Sequence, residues 1–207
     1  LGKTVQVLAF LEKLRKTEKH ARVLLIVPAS LLGNWQKETE KFAPDMPYVM
    51  LHGSGAKLLG KLVQEDKSFL TITTYGMVSR IEELENIRWD CLVLDEAQAI
   101  KNPLTKQTKR IKALKSKMRI AMTGTPIEND LTNLWSLFDF LNKGLLGSST
   151  EFHDFCKRLE MHPEGYAKLK SMISPFMLRR VKTDKEIISD LPDKLEQVDY
   201  VGMSKKQ

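Results

Sequence analysis

Residues 91–98 read Cys91-Leu92-Val93-Leu94-Asp95-Glu96-Ala97-Gln98, and this stretch decides the fold. Four consecutive apolar residues have the length of a strand buried on both faces, the state of strands in parallel sheets covered by helices. The run stops on two adjacent carboxylates, and in such sheets ligands bind at the carboxyl ends of the strands. Two charges at a strand end are costly to desolvate unless they are used. Two uses are open: the pair can cap the helix that follows, or Asp95 can hold Mg²⁺ through its water shell while Glu96 polarises a water for attack on phosphate.

Outward from this stretch, short apolar runs at 22–27, 48–51, 69–73 and 119–122 alternate with helix-period segments at 5–16, 31–42, 56–65, 105–115 and 131–141. The alternation predicts an α/β fold with a mostly parallel sheet and crossover helices. Polar groups follow the strand ends: Pro28, Ala29 and Ser30 after the first, Thr74 and Tyr75 after the third, Thr123, Gly124 and Thr125 after the fifth. One edge of the sheet should gather them all. Beyond residue 142 the alternation stops. Residues 1–142 therefore read as the sheet-bearing lobe and 143–174 as a small helical insertion carrying Phe152, Phe155, Leu159, Tyr166, Leu169 and Ile173. Residues 175–207 read as a return to the lobe, with 195–201 alternating like an edge strand, and then the start of a linker.

A chain of 207 residues with 42% hydrophobic content can bury a substantial core, which excludes a disordered chain. No run of about 18 uncharged apolar residues occurs, so no membrane partner is expected. The first residues do not form a signal peptide. The predicted location is the cytoplasm of a bacterium, near its DNA, or the nucleus of a eukaryote. Two cysteines, Cys91 and Cys156, cannot make a disulfide framework or a thiolate zinc site. His153, Cys156 and His162 lack a fourth ligand and predict no metal centre. The net charge of +7 favours a polyanionic partner. Between 101 and 119 lie eight Lys or Arg residues and no acid, a pattern that fits a solvated helix face and a phosphate-facing patch equally.

The chain opens on Leu1-Gly2-Lys3-Thr4 followed by a helical segment. This is the tail of a phosphate loop or a chance helix start. In the phosphate-loop case Gly2 lets the backbone approach phosphate, Lys3 neutralises the β and γ oxygens, and the Thr4 hydroxyl ligates Mg²⁺. The head of that loop and the strand leading into it are expected upstream. Together with Asp95 and Glu96, these residues make the two halves of an ATP site.

LGKT, LLIVPASLLGNWQKE, TITTYGM, LVLDEAQAIKNP, AMTGTPIENDLTNLWSLFDFLN and PFMLRRVKTD with LPDK occur in that order. In this the chain resembles the superfamily-two helicase-like ATPases, and within them the Swi/Snf chromatin-remodelling and DNA-repair translocases. The resemblance implies the first RecA-like lobe of a DNA-dependent ATPase that tracks along double-stranded DNA without necessarily unwinding it, with a second RecA-like lobe in the same protein. It implies catalytic roles for Lys3, Asp95, Glu96 and Gln98, where Gln98 replaces the His of many relatives and links the nucleotide site to Thr123, Gly124, Thr125 and Pro126. Thr123, Gly124 and Thr125 would couple nucleotide state to lobe movement. It further implies that Pro28, Ala29, Ser30 and Trp35, and Thr73, Thr74 and Tyr75, belong to segments touching the backbone of one DNA strand. Trp35 also reads as a core aromatic on an amphipathic helix. Trp135, Leu137, Phe138 and Leu141 have helical spacing and predict packing. A strand-separating DNA or RNA helicase and a binding module with a vestigial ATPase are the alternatives. Alone, this lobe should hydrolyse little ATP.

Overall fold

The computed structural model describes residues 2–53, 61, 68–124, 131–161 and 165–179. They fall into two compact units, Gly2–Gly165 and a second beginning at Tyr166. The first holds five strands, β1 (Val23–Val27), β2 (Tyr48–Leu51), β3 (Leu70–Thr74), β4 (Trp89–Leu94) and β5 (Ser116–Ala121). Their order is β2-β3-β1-β4-β5, and every neighbouring pair is parallel. The α/β class and the parallel sheet expected from the alternation are both present.

Helices cover the sheet on both faces. They are α1 (Lys3–Thr17), α2 (Leu32–Phe42), the short α3 (Tyr75–Val78), α4 (Lys106–Ala113) and α5 (Leu131–Leu141), and α6 (Ser149–Met161) packs against α5. The second unit takes in most of α7 (Gly165–Ile173) and a 3-10 turn at Ser174–Phe176. Further 3-10 turns follow β1 at Ala29–Leu31 and β4 at Ala97–Ile100. Neither these turns nor α3 show in the sequence pattern, because one turn of helix is too short to display a 3.6-residue period. The helix expected at 56–65, apart from Lys61, and the strand expected at 195–201 lie outside the described residues.

Period-two alternation within the strands divides the core. Val23, Leu25 and Val27 pack with Leu8 and Leu11 of α1 and with Leu32 and Trp35 of α2. Leu24 and Ile26 face the other way, toward Tyr75 and Val78, Ile111 of α4 and Phe140 of α5. Burying each such aliphatic side chain stabilises the fold by about 1.5–3 kcal/mol. α5 is a packing helix: of the four residues its spacing marks, Phe138 is buried and Trp135, Leu137 and Leu141 are half-buried, while Leu134 and Phe140 supply the rest of the buried face. Its Ser136 hydroxyl donates to the Ile100 carbonyl at 2.7 Å, which ties α5 to the turn after β4.

The basic run at 101–119 divides into parts with different work. Its last residues join β5, which starts at Ser116 rather than at 119 because Lys117 and Arg119 alternate with Met118 and Ile120. Among the described residues β5 pairs only with β4 and so forms a sheet edge. Arg110 ion-pairs with Glu85 and Glu82, Lys112 with Asp139, and Lys117 with Asp90. Arg119 is structural: its guanidinium donates to the carbonyls of Phe140 (2.7 Å), Leu114 (2.8 Å) and Lys112 (3.3 Å). That leaves Lys101, Lys106, Lys109 and Lys115 exposed. Arg119→Met removes a charged donor from three carbonyls and is expected to lower unfolding stability by about 2–3 kcal/mol. A urea melt checks this, and an unchanged midpoint would mean that water replaces the guanidinium at no cost.

Candidate functional site

The chain leaves β1 toward β2 on one side of the sheet and leaves β4 toward β5 on the other, so the topological switch point lies between β1 and β4. A crevice opens there at the carboxyl ends of the strands. The register sets those ends level, with Val27 opposite Thr74, Ile26 opposite Leu94, and Leu94 opposite Ala121. Pro28, Tyr75, Asp95 and Met122 therefore follow at one edge, as expected. Thr125 and Pro126 lie outside the described residues.

Asp95 continues β4 by donating its backbone N–H to the Ile26 carbonyl at 2.9 Å. Strand alternation puts its side chain on the face of Cys91 and Val93, the side covered by α1 and α2. The residue is buried and its carboxylate is satisfied. Oδ2 accepts from the Trp35 indole Nε1 at 2.8 Å, and Oδ1 accepts from the Glu96 amide at 2.9 Å. The Tyr75 hydroxyl donates to the Asp95 carbonyl oxygen at 2.7 Å. Burial first, and then the nearby charges of Asp95 and Glu96, hold the Tyr75 phenol well above its ordinary pKa, so it stays a donor.

Glu96 has φ 48° and ψ 56° and is the one non-glycine residue with positive φ among those described. A left-handed conformation costs an ordinary residue about 1–2 kcal/mol. The bend is held by the Ala97 N–H, which donates to the Met122 carbonyl at 2.8 Å. It turns the chain away from the sheet and frees the Glu96 carboxylate to face two partners. Oε1 lies 3.7 Å from Lys3 Nζ, and Oε2 accepts from Gln98 Nε2 at 2.7 Å. The Gln98 Oε1 in turn accepts from the Thr123 hydroxyl at 3.0 Å. Lys3, Glu96, Gln98 and Thr123 thus form one polar chain from the start of α1, across the end of β4, to the end of β5.

Gly2 stands at the N-cap of α1 with φ 67°, a conformation glycine alone adopts without steric cost. Its carbonyl receives the Gln6 N–H at 3.1 Å. Lys3 and the half-buried Thr4 occupy the first turn, where amide N–H groups and the helix dipole favour an anion. The side chains of Lys3 and Glu96 are 39% and 34% exposed. An ion pair that open to water is weak, so Lys3 is readily given up to a stronger anion.

The segments expected to face a nucleic acid differ from one another. Ala29 and Ser30 sit exposed on the 3-10 turn after β1, with Pro28 half-buried before it. Thr73, Thr74 and Tyr75 are buried, and their hydroxyls have internal partners. Thr73 donates to the Leu51 carbonyl at 2.9 Å, Thr74 caps α3 by accepting the Met77 N–H, and Tyr75 holds Asp95. Gly76, next in the chain, is exposed. Trp35 is a core residue, as its place on an amphipathic helix predicts, and also a hydrogen-bond donor to Asp95, which sequence reasoning missed. The signal was available: a buried indole N–H needs an acceptor, and a buried carboxylate needs a donor.

Neither Cys91 nor Cys156 is in a disulfide. Burial pushes the Cys91 thiol up to about 12, so it is inert. Among the described residues no group of three or more His, Cys, Asp or Glu could hold a metal ion by itself, and no helix is long and apolar enough to cross a membrane.

Comparison with known proteins adds independent observations. The family model described as SNF2-related domain matches residues 1–207. YwqA of Bacillus subtilis (strain 168) is 41% identical over 217 residues, spanning 100% of this chain and 23% of that protein. The ISWI chromatin-remodeling complex ATPase ISW2 of Saccharomyces cerevisiae is 36% identical over 215 residues, spanning 100% of this chain and 19% of that one. The chain thus spans about a fifth of the length of these relatives. A solved SWI2/SNF2 ATPase core of Sulfolobus solfataricus in complex with dsDNA superimposes with a TM-score of 0.84 at 44% identity, covering 95% of this chain and 42% of that one.

Proposed function

We propose, since this chain belongs to the SNF2-related domain family, that it is the ATP-binding lobe of a DNA-dependent ATPase that moves along double-stranded DNA and displaces or remodels bound proteins. The observation that carries this is the polar chain from Lys3 through Glu96 and Gln98 to Thr123, set beside a buried Asp95 at the switch point of the sheet. The names of its relatives support the same chemistry. YwqA carries the name of an ATP-dependent helicase/translocase, and the Sulfolobus core was solved on dsDNA.

The donor set fits Mg·ATP. Thr4 and Asp95 offer one hydroxyl and one carboxylate, which suits a cation that takes most of its ligands from phosphate and water. When bound, Mg²⁺ neutralises charge on the β and γ phosphates. Lys3 exchanges its weak pair with Glu96 for phosphate oxygens, and the Gly2 backbone allows their close approach. Glu96, released from Lys3 and still oriented by Gln98, takes the proton of the attacking water. Gln98 reports that change to Thr123, and the 123–125 segment passes it to a second RecA-like lobe of the same protein. That lobe supplies the arginines that complete the transition state. The 143–174 segment forms a helical insertion in this lobe, and the protein works in the bacterial cytoplasm, on DNA.

Two results are expected of the whole protein. Its ATP-driven motion should strip a third strand from a triplex without separating a plain duplex. Strand separation on the plain duplex would instead assign a helicase. DNA affinity should be indifferent to sequence, because the exposed Ser30 hydroxyl, backbone amides and exposed lysines such as Lys106 and Lys109 read phosphate and no base. It should fall more than about tenfold between about 50 and 200 mM salt. Competition between unrelated duplexes at several salt concentrations measures both, and a strong sequence preference or a flat salt response would contradict backbone tracking.

A further inference from the structure

Asp95 is gripped from two directions, and both grips come from segments that immediately follow strand ends on the proposed DNA side. Trp35 stands in the second turn of α2, which is continuous with the exposed Ala29–Leu31 turn. Its indole is 2% exposed and has a single N–H to give, and that N–H goes to Asp95 Oδ2 at 2.8 Å. Tyr75 is the first residue of α3, directly after β3 and next to the exposed Gly76. Its hydroxyl reaches the Asp95 carbonyl at 2.7 Å. Both bonds are buried, where a hydrogen bond is strong and its loss is felt in full. Other buried donors of the core, such as those of Trp89 and Ser136, bond to backbone carbonyls elsewhere, whereas these two side chains each bring one polar atom and place it on the same acidic residue.

We propose that Trp35 and Tyr75 are positioning residues that tie the strength of DNA engagement to the placement of the Asp95 carboxylate. A backbone load on the 28–31 turn acts on α2 and is passed by the Trp35 indole to Oδ2. A load at Gly76 acts on α3 and is passed by the Tyr75 hydroxyl to the backbone of Asp95, from which the bent Glu96 departs. Neither side chain needs to touch nucleotide or DNA. The inference rests on the DNA-dependent ATPase assigned above.

The test uses the whole protein and two substitutions that leave an aromatic ring while deleting the donor, Tyr75→Phe, which keeps the ring, and Trp35→Phe, which also shrinks it. Turnover is measured over ATP and over duplex DNA, with DNA affinity measured separately. The expected result at saturating DNA is a fall in kcat of about tenfold for Trp35→Phe, the order set by one hydrogen bond to a charged group, and of about fivefold for Tyr75→Phe, whose hydroxyl bonds a neutral carbonyl. The ATP KM and the DNA affinity should stay within about twofold, so that the ratio of stimulated to unstimulated turnover drops. A merely structural role would lower thermal stability and scale stimulated and unstimulated turnover together, and that outcome overturns the proposal. So does full stimulation in both variants. Tyr75→Phe removes a single oxygen and keeps the test decisive even if Trp35→Phe does not fold. Should the unaltered protein show no stimulation by duplex DNA, the DNA-dependent ATPase assignment itself fails; a stimulated wild type with unaffected variants rejects the positioning roles alone.

Discussion

Glu96→Gln in the whole protein is expected to bind ATP almost as well as the wild type and to hydrolyse it about 10²–10⁴-fold more slowly, the contribution of a positioned general base. Glutamine keeps the volume of the side chain and an oxygen for the Gln98 amide to bond, so the 2.7 Å contact that orients the group can persist. The ion pair with Lys3 is lost, but at 3.7 Å and half-open to water it holds little of the fold. What disappears is the negative charge that accepts a proton from water. Equilibrium nucleotide binding together with single-turnover hydrolysis separates the two quantities. Turnover near the wild-type rate would remove Glu96 from the water-activating role.

Lys3→Ala is expected to fail differently, losing nucleotide affinity together with turnover. Its ammonium is the basic group brought to the start of α1 beside Glu96, and in the proposed site it is the countercharge for the γ-phosphate. Deleting a group that stabilises developing charge in an electrostatic site costs about 10²–10³ in rate, and here ground-state binding is lost as well. The fold should be unaffected, since Lys3 lies at an exposed helix start and its one ion pair is weak. The same binding and turnover assays measure it, with a thermal melt as control. Wild-type ATP affinity in a folded Lys3→Ala protein would show that the phosphates sit elsewhere.

The fold was legible because it depends on periodicity. The apolar run of β4, the alternation of strands and helices, and the helical spacing of α5 each specify their own element, and level strand ends then follow from a parallel sheet. The residues proposed for the acid and base chemistry could be picked out for a related reason: Lys3, Thr4, Asp95, Glu96 and Gln98 occur in short motifs whose neighbours in sequence are neighbours in space. What stayed hidden is the set of contacts between motifs. Nothing local to Trp35 says that its N–H ends on Asp95, 60 positions away, nor that the Tyr75 hydroxyl turns inward to the same residue. Thr73 and Thr74 show the converse. Hydroxyls after a strand suggest phosphate contacts, yet backbone groups engage both, Thr73 at the Leu51 carbonyl of the neighbouring β2 and Thr74 at the cap of α3. The left-handed Glu96 is similarly invisible, because only the bond from Ala97 to Met122 requires the bend. The basic run misled by uniformity: a string of like charges divides into ion-paired residues, a carbonyl-capping arginine and exposed lysines only once α4 and β5 have folded.

The most direct test of the central claim is steady-state ATP turnover of the whole protein, titrated with duplex DNA of two unrelated sequences. The site built from Lys3, Asp95, Glu96 and Gln98 predicts Mg²⁺-dependent hydrolysis that both duplexes stimulate to the same plateau and that Glu96→Gln removes. Turnover indifferent to duplex DNA, or stimulation that survives Glu96→Gln, would contradict it.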